Sequence, residues 1–162
     1  MPKLVVRAFA VSLDGYSAAP GQAADAPFGK NGMRLMNWAF ATKFFGKMTG
    51  QPDKGEEGLD NDILDHSFDN IGANIMGRNM FGPDRGPWDL NWKGWWGPNP
   101  PYHTPVYVLC HEKRESLVME GGNVFHFVTD GIESALKQAM EAAKGKDVRL
   151  NGGATTVRQY LK

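Results

Sequence analysis

Disulfides, an excess of charge of one sign and long apolar runs are all missing from this sequence. Cys110 is the only cysteine among 162 residues, so no disulfide can form within the chain, and the composition suits a reducing compartment. Eighteen basic residues balance eighteen acidic ones, which gives no indication of a nucleic-acid or anionic-membrane partner. No apolar run is long enough to span a bilayer. We therefore expect a cytoplasmic protein without a nucleic-acid or membrane partner.

Several catalytic and binding motifs are absent too. The four histidines show none of the spacings typical of metal ligands, so no metal site is predicted. There is no GxSxG element for a serine nucleophile, and there is neither a GxGxxG fingerprint nor a P-loop. Cys110 ends an apolar segment, which indicates a packing residue rather than a nucleophile.

Short apolar segments predict the strands of an α/β fold. Residues 4–11 are almost continuously apolar and include β-branched residues, a pattern typical of a central strand buried on both faces. Further strands are predicted over residues 73–76, 105–110, 117–119, 124–128 and 147–151. Residues 12–33 and 82–104 are long, irregular and rich in glycine and proline, and loops of that length are usually functional or mobile.

Three helices are predicted between these strands. The clearest covers residues 131–144, where apolar side chains recur on one stripe, Asp130 and Glu133 have capping-box spacing and Gly145 ends the helix. A second covers residues 34–48, and a third runs from residue 60 or 61 to about residue 71, with Gly72 as its stop. The strands at residues 124–128 and 147–151 flank the clearest helix, so they should be parallel.

Gly152 and Gly153 lie where a parallel strand ends and a helix begins. Ligands bind at that edge of open α/β sheets, and missing β-carbons let a phosphate approach the backbone. Thr155 and Thr156 add hydroxyls to the first helical turn. The pair is interpreted either as a pyrophosphate cradle or simply as a tight strand-to-helix turn.

Two more strand ends carry groups that suit an anion. Gly77-Arg78 follows one strand, and the planar fork of an arginine can donate two hydrogen bonds to one phosphate. His111, Lys113 and Arg114 follow another strand, although charge runs of this kind are usually solvated turns. Three strand ends of this chemistry indicate an anionic ligand more strongly than any one of them.

The order of these parts resembles the dihydrofolate reductase fold, and more specifically the reductase domain of the riboflavin-pathway deaminase–reductase and its stand-alone relatives. The matching segments, in chain order, are residues 11–15 (VSLDG), 76–81 (MGRNMF), 106–111, 128–132 and 151–155 (NGGAT). The resemblance covers nearly the whole chain. It implies a single domain over residues 1–162 with three α/β/α layers around a mostly parallel central sheet.

The resemblance also implies an extended NADPH. The pyrophosphate would lie against the segment from Asn151 to Thr156, which comprises Asn151, Gly152, Gly153, Ala154, Thr155 and Thr156. Gly77, Arg78 and His111 would take the adenosine side and its 2′-phosphate, and Thr129 would lie beside the adenine. Val11, Asp14 and Gly15 would face the nicotinamide.

A catalytic acid is expected on the helix before the Met-Gly-Arg strand, where dihydrofolate reductases keep a carboxylate. Asp62 is the candidate here, with Asp14 as a second one. The acids of this helix do not match the family's carboxylate position cleanly, which argues against dihydrofolate reduction proper. The acids of this helix are equally well interpreted as an exposed, solubilising face. Four tryptophans crowd into residues 88–96, where they can stack on a flat heterocycle, form a small loop core or make an oligomer contact.

These observations predict an NADPH-dependent reductase of a small pyrimidine- or pteridine-like compound, similar to 5-amino-6-(5-phosphoribosylamino)uracil reductase of riboflavin biosynthesis. The alternatives are dihydrofolate reductase activity and a nucleotide-binding or assembly module without turnover. Relatives continue past the last helix with strands that lie beside the first strand, and here nothing follows Lys162. We expect either a shortened form of a longer protein or a homodimer that covers the unpaired strand edge.

Overall fold

A computed structural model describes all 162 residues and contains one six-stranded sheet. Its strands are β1 (Leu4–Val5), β2 (Ile71–Gly77), β3 (Pro105–Leu109), β4 (Leu117–Val118), β5 (Val124–Val128) and β6 (Asp147–Gly152). Their order across the sheet is β1-β6-β2-β3-β5-β4. All neighbouring strands are parallel except β4 and β5, which pair antiparallel. The mostly parallel α/β sheet predicted from the sequence is therefore confirmed.

Six helices and three 3₁₀ turns connect the strands. The helices are α1 (Asn37–Phe40), α2 (Lys43–Met48), α3 (Leu59–Asp65), α4 (Arg78–Phe81), α5 (Ile132–Ala142) and α6 (Ala154–Tyr160). The 3₁₀ turns cover Gly32–Met36, His66–Phe68 and Glu120–Gly122. None of these helices is long and apolar enough to cross a membrane.

Helices α5 and α6 cover one face of the sheet. Ala135 and Ala139 of α5 are fully buried, and their small side chains let the helix lie close against Ala73 and Ile75 of β2. From α6, Val157 joins the same core. Because side chains alternate along a strand, the residues between these apolar ones must face the opposite layer.

The opposite face carries a second, aromatic core built from α4 and the tryptophan-rich loop. Phe81 is buried beside Phe125 and Phe127 of β5, with ring centroids 5.3 and 5.1 Å away. Trp88 packs on Phe127 at 5.0 Å, and the indole N–H of Trp92 donates to the Phe81 carbonyl at 2.8 Å. The tryptophan-rich loop is thus a packed part of the fold, and the sheet has a helix-bearing layer on each side.

The first strand is shorter than predicted and lies in a different place. Only Leu4 and Val5 form β1, which pairs with β6 alone and sits at the edge of the sheet. The prediction of a central strand over residues 4–11 is therefore wrong. Ala8 has a φ of 49°, in the left-handed region, and this turn takes the chain away from the sheet.

The helix boundaries also differ from the predicted ones. Residues 34–48 form separate short helices, because the Thr42 hydroxyl caps a new start by accepting from the Phe45 N–H at 3.2 Å. Gly72 is a residue of β2 and, contrary to the prediction from the sequence, does not end the preceding helix. The turn between that helix and β2 is made by Asn70, which has a φ of 55°. The Asp130–Glu133 capping box is absent, since Asp130 instead accepts from the Ser134 hydroxyl.

Candidate cofactor and substrate site

The topology brings the two glycine segments together at the carboxyl edge of the sheet. From β2 the chain moves outward to β3 and β5, and then returns through α5 to place β6 on the other side of β2. Ligands of open α/β sheets bind in the crevice where strand connections diverge in this way. Met76 pairs with Gly152 in register, so Gly77 and Gly153 follow from adjacent strand ends.

The first turn of α6 lies directly against the end of β2. A β-carbon added to Gly77 would collide with the Thr156 hydroxyl, and Thr156 is buried while Thr155 is exposed. The Ala154 N–H donates to the Ser17 hydroxyl at 3.0 Å, so a side chain from the loop after β1 reaches the start of α6. Glycine at position 77 is required for this close approach.

Gly152 is the first residue of the segment from Gly152 to Ala154, which we call the glycine cradle, and it faces the chain that follows the first strand. Its φ is 125°, a conformation that favours glycine, and the peptide bond to Gly153 is cis. A β-carbon here would lie 2.7 Å from the Phe9 ring and 3.6 Å from the Met80 sulfur. Phe9, Met80 and the glycine pair therefore form one contiguous surface.

Two arginines lie close to the Trp88 ring next to this edge. The Arg78 guanidinium lies 3.8 Å from the indole centroid and donates to the Gly86 carbonyl at 2.6 Å, while its Nε is buried without a partner. Arg114 lies 5.2 Å from the same ring and donates to the Trp92 carbonyl at 2.7 Å. Burial, with a smaller contribution from Arg78, lowers the pKa of Arg114. The pair concentrates positive charge where β2 and β3 end.

An apolar pocket opens beside the cradle, on the sheet face that carries the aromatic core. Trp95, Trp96 and Tyr102 line it together with Met80, the residue that also approaches Gly152. Burial raises the pKa of Tyr102 to about 12, so its phenol is protonated at neutral pH. The pocket combines flat aromatic walls with a position next to the glycine pair.

Residues 3–162 match the sequence model of the RibD C-terminal domain family. The chain belongs to that family. The RibD C-terminal domain is a pyridine-nucleotide-dependent reductase domain with a dihydrofolate reductase-like fold and a reductase role in riboflavin biosynthesis. No curated protein matches the chain.

In this RibD C-terminal domain, the other residues proposed from sequence for the cofactor lie around the same edge. His111 is exposed two residues after β3, and Thr129 is half-buried directly after β5. Val11 is about half exposed in the segment after β1, and Gly15 turns the chain with a φ of 84°. The buried amide of Asn151 donates to the Asn74 side chain at 2.7 Å, on the face away from α5.

The two candidate catalytic acids are not brought into hydrogen bonds with the cradle. Asp62 is exposed on α3, and the neighbouring Asn61 ties α3 to α2 by accepting from the Phe44 N–H at 2.8 Å. Asp14 is exposed and accepts from the Ser12 hydroxyl at 2.5 Å within a local turn. The inner side of α3 is formed by Leu64.

Four residues near the site escaped the sequence analysis: Phe9, Ser17, Met80 and Arg149. Phe9 lies in the apolar run predicted as the first strand, where nothing distinguishes it from a core residue, and Ser17 lies in an irregular segment without periodicity. Met80 follows Gly77-Arg78 closely but has no chemistry that marks it. A signal was available only for Arg149, since an arginine inside an apolar strand is unusual.

Proposed function

We propose that this RibD C-terminal domain is an NADPH-dependent reductase of a small pyrimidine- or pteridine-like compound. The observation that carries the proposal is the juxtaposition of the Gly152-Gly153 strand end with Gly77-Arg78, beside a pocket lined by Trp95 and Trp96. A backbone without β-carbons suits a phosphate, and indole walls suit a flat heterocycle.

The residues at the edge have the chemistry that NADPH requires. Gly152, Gly153 and the N–H groups that follow would hold the pyrophosphate, with Thr155 and Thr156 contributing hydroxyls. The Ser17 hydroxyl, which now accepts from the Ala154 N–H, would give up that contact. Asn151, bonded to Asn74, would keep the strand end in place from beneath.

The adenosine end of the cofactor would lie toward β2, β3 and β5. Arg78 has a buried Nε without an acceptor, which a 2′-phosphate oxygen would satisfy, and His111 is exposed nearby after β3. Gly77 would border the adenosine side while it lets Thr156 of α6 lie close to the end of β2, and Thr129 after β5 would border the adenine. Val11, Asp14 and Gly15 would border the nicotinamide.

The substrate would bind at the apolar pocket next to Met80, with its ring against the indole side chains of Trp95 and Trp96. NADPH would supply a hydride, which in the analogous riboflavin-pathway reaction goes to the sugar C1 carbon of a ribosylamino-pyrimidine. Asp62 would manage the accompanying proton from the exposed side of α3, and Asp14 is the second candidate. The enclosing tryptophan-rich loop would exclude water from the reacting atoms.

The test is NADPH oxidation with a panel of aminopyrimidines and pterins, after cofactor binding has been measured. We expect turnover with at least one ribosylamino-pyrimidine and no inhibition by methotrexate-like antifolates. Turnover of dihydrofolate that antifolates abolish would replace the proposal with dihydrofolate reduction. Tight NADPH binding without turnover across the panel would indicate a nucleotide-binding module instead.

Cofactor preference should depend on Arg78. We expect the protein to bind NADPH more tightly than NADH, and Arg78→Ala to remove most of that preference, about 1–3 kcal/mol for a charge-assisted contact. Equilibrium titration with both cofactors measures it. Arg85→Ala removes the same charge from an exposed position of the loop that follows α4, and it should leave the preference almost unchanged. Equal affinity of the unsubstituted protein for both cofactors would refute the assignment.

We also propose that the protein self-associates as a homodimer through the edge of β1. That strand has a neighbour on one side only, and unpaired edges recruit other strands. Size-exclusion chromatography with light scattering should give about twice the chain mass, and amides 4–5 should exchange slowly in the dimer. A monomer in which amides 4–11 are strongly protected would show that another segment covers the edge.

A further inference from the structure

Buried amide side chains of β6 and β2 lie on the sheet face opposite α5. Val148 and Leu150 of β6 pack toward α5, so Arg149 and Asn151, which alternate with them, face the other way. Asn74 of β2 pairs in register with Arg149 and shares that face. Asn74 is 2% exposed and Asn151 is 8% exposed. Burying an amide is costly unless its groups find partners, so each N–H and each oxygen of these two side chains needs one.

Hydrogen bonds join the two amides to the Thr104 hydroxyl, just before β3. The Asn151 Nδ2 donates to the Asn74 Oδ1 at 2.7 Å, and the Asn74 Nδ2 donates to the Thr104 Oγ1 at 2.7 Å. The Thr104 hydroxyl donates in turn to the Tyr102 carbonyl at 3.2 Å. We call this series of three bonds, from Asn151 to Tyr102, the amide relay.

The direction of the amide relay is fixed at its Tyr102 end. A backbone carbonyl can only accept, so Thr104 uses its single O–H there and is left to accept from Asn74. Because Asn74 donates through its nitrogen, it offers its oxygen to Asn151 at the other end. The Asn151 Nδ2 also donates to the Arg149 carbonyl at 3.4 Å, which leaves this nitrogen without a free N–H.

The Asn151 Oδ1 is therefore the end of the relay that has no partner. No N–H or O–H of the protein donates to it, yet it is not sealed in the interior, because all the buried side-chain atoms without a partner are arginine nitrogens. Two of those nitrogens, Nε and Nη1, belong to Arg149, two residues earlier on the same face. Their positive charge favours an oxygen over an N–H at this place.

The open oxygen lies near both the glycine cradle and the apolar pocket. Asn151 directly precedes Gly152, the first residue of the cradle, and Gly152 pairs in register with Met76. Met76 and Tyr102 both line the apolar pocket. The relay thus connects residues that line the pocket with the strand end that forms the cradle.

We propose that Thr104 and Asn74 are positioning residues, which hold the Asn151 amide so that its oxygen accepts a hydrogen bond from a neutral N–H group of the ligand. The proposal rests on the proposed function in taking that ligand to be the substrate or the cofactor of the reductase. An amino group on a pyrimidine or pteridine ring and the carboxamide of a nicotinamide both offer such an N–H. A ligand without it would leave the Asn151 oxygen unpaired, so it should bind more weakly.

Two pairs of ligands, in which a methyl group replaces an amino group, test the proposal in the full chain. The first pair is 4-aminopyrimidine and 4-methylpyrimidine, titrated by ligand-observed NMR at a pH where both rings are neutral. The second is NADPH and its 3-acetylpyridine analogue, in which a methyl ketone replaces the carboxamide. We expect the amino member of at least one pair to bind roughly fivefold more tightly or better, and the pair that shows this identifies substrate or cofactor as the source of the N–H. Equal binding within both pairs would overturn the proposal.

Substitutions at Thr104 separate a positioning role from a structural one. Thr104→Val keeps the shape of the side chain but removes the hydroxyl that accepts from Asn74, so both amides can turn over and the preference should fall below about twofold. Thr104→Ser keeps the hydroxyl and should keep the preference, as should Thr49→Val, at an exposed position after α2.

The ratio of the two affinities is the decisive quantity, because a purely structural effect would weaken both members of a pair alike. A preference that survives in Thr104→Val, or one that is lost in Thr104→Ser, would refute the relay. Asn151→Leu removes the oxygen itself and should abolish the preference in the same way.

NADPH affinity, measured in the same samples, separates this inference from the proposed function. Absence of NADPH binding together with an amino preference that depends on Thr104 would refute the proposed reductase and leave the relay standing. NADPH binding without an amino preference in either pair would refute the relay and leave the reductase standing.

Discussion

Gly153→Val is expected to weaken NADPH binding by roughly 30- to 150-fold, or about 2–3 kcal/mol, while leaving the fold intact. Gly153 has φ −73° and ψ −171°, an extended conformation open to any residue. A β-carbon there meets only the Ser17 hydroxyl, at 3.1 Å. The added side chain would occupy the approach to the N–H groups that follow, where the pyrophosphate is proposed to lie. Tryptophan fluorescence titration measures the loss.

Ser17→Ala is the matched control for this substitution. It removes the side chain that the valine would displace, and it frees the Ala154 N–H without blocking the cradle. NADPH affinity should therefore be unchanged or higher. Gly152 is unsuitable for the same experiment, because its φ of 125° and the nearby Phe9 ring make any substitution destabilising. A folded Gly153→Val protein that binds NADPH normally would place the cradle elsewhere.

Phe81→Ala is expected to lower the free energy of unfolding by about 3–5 kcal/mol. The side chain is 1% exposed, and its ring packs against Trp88, Phe125 and Phe127. Its removal leaves a cavity between α4, β5 and the tryptophan-rich loop, which limited relaxation cannot fill. Urea denaturation, with the midpoint and slope fitted together, measures the change.

Leu90→Ala serves as the control in the same loop. Leu90 is 71% exposed, so its truncation should change the free energy of unfolding by no more than about 0.5 kcal/mol. If Phe81→Ala cost under about 1 kcal/mol, the aromatic cluster would not anchor the loop. Because the Arg78 guanidinium lies 3.8 Å from the Trp88 ring centroid and Trp88 packs on Phe81, loosening this cluster should also reduce the preference for NADPH over NADH.

The sequence predicts the central strands and α5 well, and the reason is local. Residues 105–109 and 124–128 are short apolar runs bounded by turns, and α5 carries its apolar stripe at helical spacing. The same pattern gives a wrong prediction for the first strand, because an apolar run does not reveal which neighbour a strand pairs with or where it lies in the sheet. β1 ends at Val5 and Ala8 then turns the chain away with a positive φ, which nothing in the residue type signals.

Only the part of the site that follows from the order of the strands could be predicted from the sequence. Once Gly77 and Gly152 are placed at the ends of parallel strands, their proximity follows from the topology. The approach of Ser17 to the start of α6 depends on the path of an irregular loop, which no periodicity encodes. The lack of a partner for Arg149 becomes visible only when residues 7, 68 and 149 are brought together by long-range folding.

The bond between Ser17 and Ala154 makes the loop after β1 a rival of any ligand at the glycine cradle. A ligand that accepted from the Ala154 N–H would replace the Ser17 hydroxyl as its acceptor. The free energy of binding measured for such a ligand would be the difference between the ligand contact and the Ser17 contact that it replaces. The measured affinity would therefore be weaker than the ligand contact alone would give. The released loop, no longer tied to α6, would be open to proteases while the cradle is filled.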